Sequence, residues 1–273
     1  MSTVEASPRI QAPRGNRGWR RRLLLHHVPI ALASALIVLG LMGFSLFTMG
    51  GYAELDTTSS AALPTARGMP IPPAHMEGHV AGLAFAFDPS YFSLSRFTIA
   101  TGYVASGLLA LTLVVGPANL LLRRRNRISS YLRRDLGAWT AFASVAHVVA
   151  GLQEHNRGQL GFLAYFFADG RPLTNSFGLG NWTGLTALLV VLGLLMISTD
   201  SSLSELKAKR WKNLQRLNYV LFCLVVLHAF FYGALLRMTS PFTVLLILLV
   251  GGVLVAQVLG VWLWRHRHVG DQG

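Results

Sequence analysis

The sequence predicts an all-α membrane protein with six transmembrane helices and both termini on the cytoplasmic side. Three observations carry that expectation. Of 273 residues, 52% are hydrophobic and only 13% charged, where a soluble domain carries about 25% charge. Six apolar segments reach the roughly 20 residues that a bilayer core about 30 Å thick demands of a helix. Finally, the formal charge of +13 is not spread evenly but collects in alternate connecting segments.

The segments follow in order. Residues 1–27 form a basic N-terminus ending in Arg20-Arg21-Arg22. The first span, 28–51, has an apolar run about twice the ~7–15 residues of a secretory signal core, which makes it a retained anchor. An outer loop, 52–96, holds His75-Met76-Glu77-Gly78-His79. Two histidines four apart suit a metal only on a helix, and Gly78 weakens one there. The further spans are Phe97–Leu122, Leu136–Leu152, Trp182–Thr199, Leu217–Leu236 and Phe242–Trp264. The chain thus divides into a central region, 97–236, a last helix within 237–264 and a cytoplasmic tail, 265–273. The lone Cys223 excludes an internal disulfide or a cysteine-built metal site, and its apolar setting reads as a packed hydrophobic position.

Alternating the spans from a cytoplasmic N-terminus places 19 Lys/Arg and 5 Asp/Glu inside, against 5 and 6 outside, so the two faces carry +14 and −1. This is the positive-inside bias. It also explains the Arg123–Arg127 run by topology and anionic lipid, with no nucleic-acid partner. The outer segment 153–181 is rich in aromatic residues (Phe162, Tyr165, Phe166, Phe167) and is expected to cap the bundle.

Ionisable residues inside a span are costly and point to function. His147 lies 13 residues past Arg134, and His228 lies 12 past Arg216. At 1.5 Å per residue these are depths of about 20 and 18 Å on parallel helices. Two imidazoles at one depth can hold the two axial positions of a haem b. Each is also compatible with an ordinary hydrogen-bonded core histidine. His155, two turns beyond His147, is a further candidate for contact with the cofactor or for solvent exposure. Arg157, Arg171 and Arg237 are candidate propionate partners. His26, His27, His266 and His268 sit in basic surroundings and are expected to face headgroups or solvent.

The motifs in this region resemble a known family. Thr101-Gly102-Tyr103-Val104-Ala105 opens the second span, Arg133-Arg134-Asp135-Leu136-Gly137 precedes His147, and Ser198-Thr199-Asp200 leads to Arg210-Trp211-Lys212-Asn213-Leu214-Gln215-Arg216-Leu217-Asn218-Tyr219 and then His228. This order is similar to the ferric-reductase-like transmembrane family, and within it to the bacterial haem-binding membrane subunit of the periplasmic methionine sulfoxide reductase system. The resemblance covers about 97–236. It implies a b-type haem electron carrier with a central four-helix haem-binding bundle, in which His147 and His228 match the family's ligands. Where many members have a second histidine, this chain has Gln215, and Arg133 and Arg134 stand opposite, so one haem is expected.

No dinucleotide-binding glycine fingerprint occurs, and nine residues after Trp264 leave no room for a flavin or nicotinamide domain. The chain is therefore expected to be an oxidoreductase component, with its donor a quinol, a flavin or a docking reductase. Flavin or quinone are further cofactor candidates. The acceptor is expected to be ferric iron or an extracytoplasmic partner protein, and the setting a bacterial inner membrane. Two other readings remain open: a scaffold subunit that has lost haem, and a small-molecule transporter, although no inverted repeat or broken helix pair supports transport.

Overall fold

The computed structural model describes residues 22–43, 92–122, 128–158, 160–233 and 241–269. The chain there is mostly helical. After a π-helical turn, Leu23–His27, come α1 (Val28–Gly43), α2 (Leu94–Leu121), α3 (Ile128–Glu154), α4 (Ser176–Met196), α5 (Asp200–Gln215), α6 (Leu217–Phe231) and α7 (Pro241–Val269). Six stretches are long and apolar enough to cross a membrane: Leu23–Met42, Leu94–Leu121, Tyr131–Glu154, Ser176–Met196, Asn213–Phe231 and Phe242–His266. The six expected spans are all there, and several begin earlier than hydropathy placed them.

Capping explains the early starts. Hydropathy marks the first apolar residue, whereas a helix starts where a side chain satisfies its first N–H groups. Ser93 accepts from the Arg96 N–H before α2, and Asn175 accepts from the Gly178 N–H before α4. Thr199 does the same for Ser202 before α5, the amphipathic helix that leads into α6.

Helices α2, α3, α4 and α6 close a ring, because α2 packs on α3, α3 on α4, α4 on α6 and α6 back on α2. Its interior is filled by Leu109, Leu113, Ala141, Val191, Leu221 and Phe222. Helix α1 lies against α2 and α3, while α7 lies along α2. Outward faces stay apolar: Leu36, Met196, Leu248 and Val258 are 66–73% exposed. Surfaces of that kind need lipid rather than water around them. Cys223 belongs to this outward set. It is not packed inside, because an all-round apolar helix does not reveal its inner side by sequence.

Within the hydrocarbon each polar group must find a partner in the protein. The hydroxyls of Thr98, Ser106, Thr112, Thr140, Thr183 and Ser198 each donate to the carbonyl four residues back. Pro117 has no N–H for the Leu113 carbonyl. Gln257 of α7 donates its amide to that oxygen at 3.0 Å, and Tyr219 of α6 donates to the Gln257 carbonyl at 3.1 Å. A helix defect in α2 thereby becomes a polar link joining α2, α6 and α7.

Between α3 and α4, the segment expected to cap the bundle takes a defined path. The chain runs through 3₁₀ turns at His155–Gly158 and Phe162–Tyr165 into a two-stranded hairpin, β1 (Phe167–Ala168) and β2 (Arg171–Pro172). Asp169 and Gly170 both have positive φ, +50° and +73°. This is the Asp-Gly tight turn that matches strand twist.

Candidate haem site

His147 projects from α3 and His228 from α6 into the same place. Their ring centroids are 5.9 Å apart and the planes stand at 85°. Each ring is held from behind. His147 Nδ1 donates to the Thr98 carbonyl at 2.7 Å, and His228 Nδ1 donates to the Gly180 carbonyl at 2.8 Å. A carbonyl only accepts, so in both rings the proton sits on Nδ1. In the neutral imidazole this leaves the Nε2 lone pair available to a metal.

The two seats are built alike. Each accepting carbonyl belongs to a helix residue whose side-chain space four positions later is empty. Thr98 is followed by Gly102, where a Cβ would lie 3.0 Å from His147 Nδ1 and Cε1. Gly180 is followed by Gly184, where a Cβ would lie 2.7 Å from His228 Nδ1 and 2.9 Å from Cε1. An imidazole can reach sideways to a helix carbonyl only if nothing covers it from the next turn. Glycine supplies that opening, and the carbonyl's second lone pair supplies the acceptor. The seats differ one turn beyond each histidine. There a Cβ at Gly151 would lie 3.5 Å from the Thr98 methyl, while Tyr232 lies over Gly180, whose Cβ would meet its ring at 2.6 Å.

His155 is not brought beside the pair. Its Nδ1 bonds the Gly151 carbonyl at 3.0 Å and its ring meets Tyr165 and Phe177, with centroids 5.6 and 5.2 Å away. It connects to the pair through rings: Phe177 lies 6.3 Å from Tyr232, which lies 4.9 Å from His228. The Tyr232 hydroxyl donates to Asn181 Oδ1 at 2.6 Å, and the Tyr165 hydroxyl donates to the Leu152 carbonyl. Loss of hydration raises both phenols, Tyr232 to about 12, so both are neutral donors at physiological pH.

The other end of the bundle, where α1 starts, holds a cluster that the sequence reading missed. Asp135, 1% exposed, accepts two hydrogen bonds from Arg22 and one from His26 Nδ1 at 2.7 Å. His27 Nε2 is 3.6 Å from the same carboxylate, and its Nδ1 accepts from Trp139 Nε1–H at 3.2 Å. His26 and His27 therefore do not face headgroups, as their basic surroundings suggested. They dock α1 on α3. The signal was present, since a buried carboxylate requires basic partners and Asp135 starts an apolar run. Gln215 is engaged locally, accepting from Asn218 Nδ2 at 3.2 Å.

Of the remaining candidates, Arg171 is exposed on the hairpin, and His266 is exposed with its ring 4.4 Å from Trp262. His75, His79, Arg237 and the Arg123–Arg127 run lie outside the described residues, as do the side chains of Arg157 and His268. Among the described residues no group of three or more His, Cys, Asp or Glu could hold a metal ion.

Comparison with known proteins bears on the same stretch. Residues 101–226 match the family described as ferric reductase like transmembrane component. The match contains His147, Gly102, Gly180 and Gly184 and ends two residues before His228. A 96-residue segment, 35% of the chain, is 34% identical to the magnetosome protein MamZ of Magnetospirillum gryphiswaldense. That segment spans only 14% of MamZ. The stretch that is similar to a ferric-reductase-like transmembrane component thus lies within a chain that has six helices long and apolar enough to cross a membrane.

Proposed function

We propose that this chain carries electrons through the bilayer by way of one b-type haem ligated by His147 and His228, and delivers them toward the outer face. The observation that carries the reading is the paired seat: two imidazoles 5.9 Å apart, each with Nδ1 committed to a helix carbonyl. With Nδ1 engaged, each ring would hold the iron through its Nε2. Two histidines make a poor site for a bare ion, which takes three or more protein ligands, whereas a porphyrin brings four nitrogens of its own. When bound, the haem iron supplies a one-electron couple.

The protein's share is to hold both rings in the ligating tautomer, raise their basicity through the Nδ1 hydrogen bonds, and exclude water with the apolar ring of helices. The positive-inside bias supports cytoplasmic termini, and the motif resemblance to a bacterial membrane subunit supports a bacterial inner membrane. The resemblance of the Arg210–Tyr219 motif to a methionine sulfoxide reductase membrane subunit favours a periplasmic oxidoreductase as acceptor, with ferric iron as the alternative. A quinol, a flavin or a reductase docking at the basic side is the donor. His155 belongs to the outer cap that screens the site.

The test is a reduced-minus-oxidised spectrum of purified, haem-supplied protein. It should show a b-type signal that His147→Ala and His228→Ala each abolish. Absence of the signal in the wild-type chain ends the proposal. Gln215→Ala should retain full haem content, and loss of half would overturn the count of one.

A further inference from the structure

A crevice of about 270 Å³ opens at the inner ends of the helices, between the turn before α1, the start of α3 and the end of α4. Arg22, His27 and Arg134 supply its basic side, Ala138 and Leu195 its apolar wall, and Ser198 and Thr199 its rim. Asp135 also borders it, but its carboxylate is already satisfied by Arg22 and His26, with His27 alongside. The local balance is therefore cationic. Polar groups stand at one end and aliphatic ones at the other, and the crevice lies between helices that face lipid. Water-soluble anions match only the first of these features.

We infer that this crevice binds the headgroup of one anionic phospholipid from the leaflet on that side. The phosphate would sit against Arg134, with Arg22 and His27, both engaged by Asp135, adding nearby positive charge, and an acyl chain would run along Ala138 and Leu195. Basic pockets between transmembrane helices on the cytoplasmic side are suited to such headgroups, and a guanidinium can grip a phosphate through two parallel N–H donors. The lipid would bridge α1 and α4 and so add to the seating of α1 on the Asp135 cluster and Trp139. The inference is independent of haem, since it uses no residue of the His147–His228 site.

The experiment is native mass spectrometry of the full-length protein, with nanodiscs of phosphatidylglycerol or phosphatidylcholine as the defined lipid sources. Wild type should retain one phosphatidylglycerol per chain, with at least about tenfold preference over phosphatidylcholine. Arg134→Gln should remove the preference, whereas Arg265→Gln, at the end of α7, should keep it. Ala138→Leu, which fills the wall without touching charge, should also lower retention and covers the case in which Arg134→Gln does not fold. Equal retention of the two lipids overturns the inference, as does an Arg134→Gln protein with unchanged preference. Displacement of the lipid by millimolar inorganic phosphate would also overturn it, by showing a site for soluble anions.

Discussion

Under the proposed function, Gly184→Ala probes the ligand seat most directly. The added Cβ would lie 2.7 Å from His228 Nδ1 and 2.9 Å from Cε1. Ordinary contact begins near 3.4 Å, so the ring must retreat by about 0.7 Å. That movement stretches the 2.8 Å bond to the Gly180 carbonyl to about the limit of a hydrogen bond. Overpacking costs about 1–3 kcal/mol and the hydrogen bond about 1 kcal/mol. The better helix propensity of alanine returns about 1 kcal/mol. The net is about 1–3 kcal/mol, or roughly 5- to 150-fold weaker haem retention at 1.4 kcal/mol per tenfold. Haem titration of the apoprotein, followed by absorbance, reads this directly. Gly193→Ala, on the same helix with nothing within 4 Å of its Cβ, is the matched control and should titrate like wild type. Gly102→Ala, with its closest approach at 3.0 Å, should be intermediate. Indistinguishable titrations for Gly184→Ala and Gly193→Ala would refute the idea that glycine seats the ligand.

Three other outcomes are expected. Gln257→Leu leaves the Leu113 carbonyl without its donor and should lower thermal stability by about 0.5–2 kcal/mol. Pro117→Ala restores the N–H in the same helix, so the double variant should recover part of the loss in a melting assay. Asp135→Asn removes the anion that pairs with Arg22 and His26 and should loosen α1. Because Arg22 is 28% exposed, the cost falls at or below the low end of the ~3–5 kcal/mol for a broken buried pair, and faster proteolysis at the N-terminal side is the readout. The Tyr232 phenol is raised when folded, so the neutral form is favoured and its stabilisation is complete below pH 10. It is lost as pH rises toward about 12. Tyr232→Phe should flatten the stability profile over that interval, as followed by alkaline melting.

Much of the architecture was legible because a bilayer imposes a length and a charge rule that no tertiary contact overrides. The six spans followed from apolar length, and the meeting of His147 and His228 followed from counting residues from Arg134 and Arg216. Helix starts were not legible from hydropathy. Asn175 and Ser93 begin their helices with polar side chains that a hydropathy window discards. The inner cluster was missed for a different reason. Sequence proximity grouped His26 and His27 with the arginines before them, whereas their partner, Asp135, is more than a hundred residues away. The glycines were visible as residues, but nothing local separates Gly184, which a histidine overlies, from Gly193, which faces open space. That difference is made by α6.

The two seats also differ in what surrounds them toward the hairpin end of the bundle. In each half one helix supplies the carbonyl and the glycine, α2 or α4, and a later one supplies the histidine, α3 or α6. A purely symmetric site would face both sides of the ring equally. The symmetry breaks one turn past the histidines, where α3 has Gly151 and α6 has Tyr232. A small residue at Gly151 ends the aromatic contacts of that half. The ring at Tyr232 extends them from His228 to Phe177 and on to Tyr165 and His155, with successive centroids 4.9 to 6.3 Å apart. Among the described residues, His147 has no aromatic neighbour other than His228. Under the proposed function the outward route for an electron therefore runs through the α4–α6 half. The residue that directs it is Tyr232, whose place over Gly180 is possible only because that position, too, lacks a side chain.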